Sequence, residues 1–413
     1  MATIKPFRAV RPKDNELAGR IAALPYDVYN RQEAKAEITR EPLSFLRVDR
    51  AETNFSEEVD IYADCVYEKA KEILQDMMKC GTLVMEDVPF YYVYELTMNG
   101  RTQTGIVACA DIDDYENGVI KKHENTRADK EIDRIRHVDT CNMQTGPIFL
   151  AYRSIQIVNE IVSKTKQTEA LYDLTAEDGI RHRVWTITNQ EEIITIQKAF
   201  ESTQQIYIAD GHHRCASAVK VGLKRRKEHP DYTGTEEFNS FLSVLFPHDQ
   251  LMIMDYNRVV QDLNGLSVSA FMERLKEVFE IEPKGTTAYH PLHKGEVSMF
   301  LAGQWYGLSF LDTLYSSHPI DGLDVSKLQN YVLEPILNIK DPKTDQRIDF
   351  VGGIRGLSEL EQRVRTDSAV AFAMYPTSIQ ELFAVSDADL LMPPKSTWFE
   401  PKLRSGLLLH SIL

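Results

Sequence analysis

The chain has 413 residues, 43% hydrophobic and 26% charged, the proportions of an ordinary soluble protein long enough for a large core and two or three packed subdomains. A formal net charge of −15, from 47 basic and 62 acidic residues, argues against nucleic-acid binding, which depends on clustered Lys and Arg. There is no run of about 18 apolar residues to span a membrane and no signal-peptide core. The five cysteines (65, 80, 109, 141, 215) lack CxxC spacing, so the sequence predicts a cytoplasmic protein with reduced thiols.

From the N-terminus, Val59, Tyr62, Ala63, Val66, Ala70, Ile73 and Leu74 fall at helical spacing, which predicts an amphipathic helix over 57–80 closed by Gly81. The apolar run 89–96, Asn99-Gly100 and 102–111 predict a β-hairpin, because Asn-Gly supplies the positive φ angles of a type I′ turn. The spacing of Ile132, Ile135 and Val138 predicts one buried face of a charged helix over 127–141, with its Asp and Glu residues mostly on a solvated face. Runs 146–152 and 183–187 read as strands, 191–202 as a helix and 205–208 as the strand it feeds. Beyond these, strands are expected at 241–247 and 251–256, then a helix over 267–279 capped by Ser267, and a hairpin of 297–301 with 305–310. A helix over 325–337, strand 350–351, helix 357–364, strand 369–374 and helix 378–391 complete the chain. Strands and helices alternate throughout, so the predicted class is α/β in layers, a mixed α+β chain. No repeat or Ser/Gly-rich linker marks a boundary, and the expected regions, 1–120, 121–250 and 251–413, are interleaved.

Between the strand at 205–208 and the helix-like run that begins at Cys215 stands Ala209-Asp210-Gly211-His212-His213-Arg214. The first turn of a helix has N–H groups without intrahelical partners, and with the helix dipole they favour an anion. Gly211 lets a phosphate approach the backbone and Arg214 adds a forked contact, so the stretch reads as a phosphate site. The other reading is a plain connection whose histidines cap the helix. Asp210 is a candidate Mg2+ ligand, directly or through water, and equally a candidate N-cap. Neighbouring histidines on a helix point to different faces, so one of His212 and His213 is expected to meet phosphate and the other to pack.

His123-Glu124 offers a carboxylate that can take a hydroxyl proton, or else a surface or capping residue. Arg127, Arg134 and Arg136 can reach phosphate or a substrate carboxylate, or form a salt-bridged surface. Near the C-terminus Pro393-Pro394 stiffens a loop carrying Lys395, Ser396 and Thr397, which Trp398 and Phe399 can anchor; Lys402 and Arg404 follow. GxxxxGK(S/T), HExxH and GxGxxG strings are absent, which leaves a P-loop kinase, a zinc protease and a dinucleotide oxidoreductase unsupported.

In their order, His123-Glu124, the strand-Asp210-Gly211-His212-His213-Arg214-helix unit and Pro394-Lys395-Ser396-Thr397 resemble the free serine kinases of the ParB/sulfiredoxin-like superfamily. The chain is also similar, over nearly its whole length, to domain-of-unknown-function family 1015, through Leu24-Pro25-Tyr26-Asp27-Val28, the same three strings and Trp398-Phe399-Glu400-Pro401-Lys402. Its spacing departs from the kinases, with about a hundred residues ahead of the His-Glu motif and a longer insert after it. The resemblance implies a ParB/sulfiredoxin-like core over 121–250 that binds ATP or ADP with Mg2+. It makes Glu124 and His123 the catalytic pair and Asp210, Gly211, His212, His213 and Arg214 the nucleotide-phosphate turn. Lys395, Ser396, Thr397 and Arg127 become phosphate or substrate contacts, with the C-terminal loop expected to close over the nucleotide; Asp27 is a further candidate. The implied reaction is phosphoryl transfer to a small hydroxyl compound such as free serine. The alternatives are a nucleotide hydrolase or switch and a non-catalytic nucleotide-binding regulator. The expected partners are a nucleotide and a small molecule, with neither nucleic acid nor membrane.

Overall fold

Asn99 and Gly100 adopt φ angles of 51° and 78°, the two left-handed positions of a type I′ turn, and the strands they join pair from Met98↔Arg101 onward. That hairpin is the middle of a nine-stranded sheet. The structure, a computed structural model, describes residues 1–126 and 128–413 and divides into two units, Met1–Leu251 with Pro401–Leu413, and Met252–Glu400.

The sheet of the first unit contains β1 (Ile4–Lys5), β2 (Tyr91–Met98), β3 (Arg101–Asp111), β4 (Ile120–Lys121), β5 (Ile148–Tyr152), β6 (Tyr172–Thr175), β7 (Arg181–Ile187), β8 (Ile206–Asp210) and β9 (Ser240–Pro247). Their order is β4-β8-β5-β9-β3-β2-β7-β6, with β1 beside β3. The pairs β4/β8 and β5/β9 are parallel, and the others are antiparallel. Regions 1–120 and 121–250 both supply strands to this sheet, because the hairpin pairs with β9 on one side and β7 on the other. Leu409–Ser411, from the end of the chain, pairs with Ala9–Pro12 in a smaller sheet of the same unit. Ile106, Ala108, Leu150, Tyr152 and Ile208 on the large sheet pack with Val158, Ile196 and Phe200 of two helices, Gln156–Thr165 and Gln190–Glu201, in one buried cluster.

Three further helices concern the site: α1 (Asp64–Lys79), α2 (Ala128–Cys141) and α3 (His212–Glu228). The expected helix over 57–80 begins only at Asp64, because Asp60 accepts the Tyr62 N–H on its side chain (2.9 Å) and the Ala63 N–H on its carbonyl (3.0 Å), a local turn that competes with helix. Helices α2 and α3 are clamped together by Glu131, whose carboxylate takes the Lys220 ammonium and whose carbonyl takes the Ser217 hydroxyl (3.1 Å), and by Lys224 and Arg225 on Asp139.

The second unit holds a six-stranded antiparallel sheet of β10 (Tyr256–Val260), β11 (Phe279–Gly285), β12 (Glu296–Leu301), β13 (Gln304–Phe310), β14 (Ile348–Gly352) and β15 (Val370–Met374), in the order β11-β13-β12-β15-β10-β14. Trp305, Phe300 and Leu360 of the helix Gly356–Thr366 fill one side of it. The strand expected over 251–256 is two pieces: Ile253–Met254 pairs with Trp398–Phe399, and Tyr256 begins β10. The expected helix over 325–337 is α-helical only for Asp324–Leu328 and widens to a π turn over Gln329–Leu333, ahead of Pro335, which has no N–H to continue the ladder. Among the described residues no helix is long and apolar enough to cross a membrane.

Candidate functional site

Strand β8 is apolar and buried until Asp210, where the chain turns through Gly211 at φ 90° and ψ 31° and enters α3 at His212. A left-handed residue is required there, and glycine adopts it without a Cβ penalty. Gly211 is the N-cap, so the capping role open to Asp210 is not the one observed. Asp210 accepts the Gly211 N–H on Oδ1 (2.8 Å), and no side chain caps the first turn of α3 among the described residues. The other carboxylate oxygen of Asp210 receives the Lys402 ammonium at 2.8 Å. Burial works against the ionised carboxyl, yet Lys402 first, and then Arg214 and the Gly211 amide, hold its pKa well below the usual range.

Strand β4 lies parallel to β8 in the register Ile120↔Ile206 and Lys121↔Tyr207, so both chains leave the sheet at the same end. This brings His123, two residues past β4, to the Asp210 turn. Its ring meets that of His212 edge-on, with centroids 4.5 Å apart. Both rings are buried. Burial pushes the His123 pKa down to about 4, against the opposing pull of Asp210 and a backbone hydrogen bond at Ile208. His212 is driven well down by burial and then by His123. The pair is therefore neutral near pH 7, a hydrogen-bonding wall and not a cationic one. His212 Nε2 is buried and has no hydrogen-bond partner among the described residues. Of the two adjacent histidines, His212 is the packed one and His213 the half-buried one.

Glu124 follows His123 at a bend and is half-buried. Thr126 donates to Glu131 at 2.7 Å, which ties the segment to α2. Arg127 lies outside the described residues. Arg214 donates to the Pro147 carbonyl at 3.0 Å, and its close approach depends on Gly146, where a Cβ would meet the guanidinium at 3.0 Å and Ser405 Oγ at 2.9 Å. Arg134 is not a surface residue: it is 7% exposed, paired with Asp133 at 2.9 Å and stacked 4.0 Å over Tyr26. Arg136 does make the exposed contact, to Asp64 and the Tyr62 carbonyl. Asp27 is exposed, whereas Pro25 and Tyr26 of that string are buried.

Lys395, Ser396 and Thr397 belong to the second unit. There Lys395 adopts φ 61°, its carbonyl accepts from Arg258 (3.0 Å), and its ammonium lies 5.5 Å from the Tyr256 ring centre. Ser396 donates to Pro393 (2.7 Å) and accepts on its carbonyl from Thr377 (3.0 Å). Lys402 and Arg404, which the sequence marks only by position, belong to the first unit. Arg404 is buried against His182 (3.1 Å) and Asp178.

For Mg2+, the turn supplies one carboxylate, Asp210, with both oxygens engaged. Among the described residues no three acidic, His or Cys side chains gather.

No match was found among curated proteins. Among solved structures, a free serine kinase variant in complex with ADP is similar at 12% identity and a TM-score of 0.37, over 75% of this chain and 93% of that one. SbnI from Staphylococcus aureus with a C-terminal truncation is similar at 11% and 0.38, over 74% and 87%. A conserved hypothetical protein from Pyrococcus furiosus is similar at 13% and 0.34, over 74% and 95%. The family model described as a protein of unknown function, DUF1015, matches residues 4–326, and the chain belongs to that family.

Proposed function

We propose that this chain binds ATP or ADP at the Asp210–Arg214 turn and transfers a phosphoryl group to a small hydroxyl compound, with free serine the leading acceptor and the cytoplasm the place of action. The observation that supports the reading is the meeting of His123, with Glu124 next to it in sequence, and His212 of the Asp210–Arg214 turn at the ends of two parallel neighbouring strands, where α/β proteins commonly place ligands. The motif order shared with free serine kinases supports it, and by the same resemblance the core is read as ParB/sulfiredoxin-like.

In this reading Glu124 accepts the acceptor's hydroxyl proton as its oxygen bonds to phosphorus. The bridging P–O bond breaks, and the nucleotide leaves as ADP or AMP with the added negative charge. The open N–H groups of the α3 first turn, Arg214 and the half-buried His213 face that charge, while Lys402 keeps Asp210 ionised and the turn in shape. Arg127 is the further phosphate or substrate contact that substitution would test. Mg2+ arriving with the nucleotide would supply charge neutralisation at the phosphates.

The test is Glu124→Gln, which keeps the shape and removes the base. Nucleotide binding should be normal and serine-dependent release of ADP or AMP should fall by about 10²–10⁴-fold. Release that ignores the acceptor would identify a hydrolase. Nucleotide binding without turnover in the unmodified protein would identify a regulator.

A further inference from the structure

Arg214 has a second neighbourhood. Within the first unit it lines a cavity with Tyr26, Asp49, Arg134, Thr145 and Ser405. About 30 Å3 there is open to the centres of water-sized molecules, the scale of a few waters or one small polar ligand, and too little for a nucleotide. Asp49 is 5% exposed and accepts the Thr145 hydroxyl at 2.7 Å, yet no Lys or Arg lies within ion-pair range of it among the described residues. The Arg214 guanidinium makes one hydrogen bond, to Pro147, and has no carboxylate partner among the described residues. Arg134 differs, being neutralised by Asp133.

One cavity therefore carries a buried carboxylate and a half-buried guanidinium without a direct ion pair, Asp49 feeling Arg134 and Arg214 feeling Asp210 only through space. An unpaired buried charge is costly to keep, and a ligand positive at one end and negative at the other satisfies both. We propose that this cavity is the acceptor subsite and takes a small α-amino acid as its zwitterion, with the ammonium on Asp49 and the carboxylate on Arg214. The five N–H donors of Arg214 let one guanidinium serve this carboxylate and a nucleotide phosphate. Only the word acceptor rests on the phosphoryl-transfer reading, since the binding claim stands by itself. Tyr26 and Asp49 come from the part of the chain ahead of the His-Glu motif, so the subsite gives that extension a purpose.

Calorimetry on the full chain, with and without ADP, tests it. L-serine, L-homoserine and L-threonine are compared with 3-hydroxypropionate, which lacks the ammonium, and ethanolamine, which lacks the carboxylate. At least one amino acid should bind about 10- to 100-fold tighter than either truncated compound, the factor for one charge-assisted hydrogen bond. Asp49→Asn should lose that advantage without weakening ADP binding. Equal affinities, no amino-acid binding in either nucleotide state, or an undiminished Asp49→Asn variant would overturn the subsite. The ligand comparison on the unmodified protein decides the matter even where the variant does not fold. A failure of ADP to bind or turn over would instead strike the phosphoryl-transfer reading and leave this result standing.

Discussion

Replacing Lys402 with Met should destabilise the first unit by about 1–2 kcal/mol, and the figure follows from how wet the Lys402–Asp210 pair is. The contact is 2.8 Å long, with side chains 19% and 39% exposed. A fully exposed pair is worth about 0.2–1 kcal/mol, and breaking a fully buried one costs about 3–5 kcal/mol, so this half-sheltered pair falls between. Asp210 also keeps the Gly211 N–H after the change, which limits the loss. The assay is urea unfolding of the wild type, Lys402→Met, Asp210→Asn and the double variant, with the coupling taken from the cycle. The pH dependence has a defined sign. Asp210 is depressed in the folded state, so its contribution is complete above the ordinary Asp value of about 3.9 and is lost as pH falls below it. The gap between wild type and Lys402→Met should therefore close below about pH 4. A coupling under about 0.3 kcal/mol, or a gap that ignores acid, would refute the assignment of Lys402 as the counter-ion of the turn.

Three further outcomes are expected. Arg214→Ala should weaken ADP binding by about 1.5–3 kcal/mol in calorimetry, and an unchanged affinity would remove the turn from the nucleotide site. Gly211→Ala should cost about 1–2 kcal/mol from φ alone, since the added Cβ meets nothing nearer than Arg214 Nε at 3.6 Å. Gly211→Asn should cost less, and equal costs would show that something other than backbone conformation decides. His123 should stay neutral in NMR titrations down to about pH 4. Because the unfolded ring protonates near pH 6.5, stability should fall as pH drops from about 6.5 towards 4. A folded-state titration near 6.5 would contradict the burial argument.

Local signals carried much of the fold. Asn99-Gly100 announces its turn through backbone conformation alone, and Ser267 caps its helix by accepting the Ala270 N–H at 3.2 Å. The misjudged elements failed for reasons that periodicity does not register, namely a side-chain turn at Asp60, a missing N–H at Pro335, and at 127–141 the pairing of Glu131, Asp133 and Arg134, which buries the polar face and leaves Ile132 57% exposed. At the site, the Asp210–Arg214 string and His123-Glu124 were visible as residues, but their meeting depends on the parallel pairing of β4 with β8. Lys402 stands 192 residues from Asp210 in sequence, and no spacing rule reaches that far. Asp49 was hidden for a different cause, since it sits in no string whose chemistry is readable without its neighbours, and Tyr26 was visible only as part of the Leu24–Val28 string. Arg134 looked like one charge on a charged helix until Asp133 and Tyr26 enclosed it.

The same topology explains why the site is built as it is. Strand β4 is only two residues long and lies at the sheet edge, so the chain leaves it just before His123 and is free to cross in front of the β8 turn. A longer β4 would have carried His123 into the sheet and away from α3. What fixes the crossing segment is α2, into which it runs, and α2 is held to α3 by Glu131 and Asp139. The Glu124 segment and the open first turn of α3 thus share one rigid support, two clamped helices, with the neutral His123–His212 contact between them. A site assembled on loops acquires fixed geometry in this way, and because neither buried ring carries charge near pH 7, the helix start, Arg214, Lys402 and Lys122 contribute the positive field at the turn. Asp210 offsets part of that field, and Arg214, held by the Pro147 carbonyl at 3.0 Å, retains further N–H donors for a ligand.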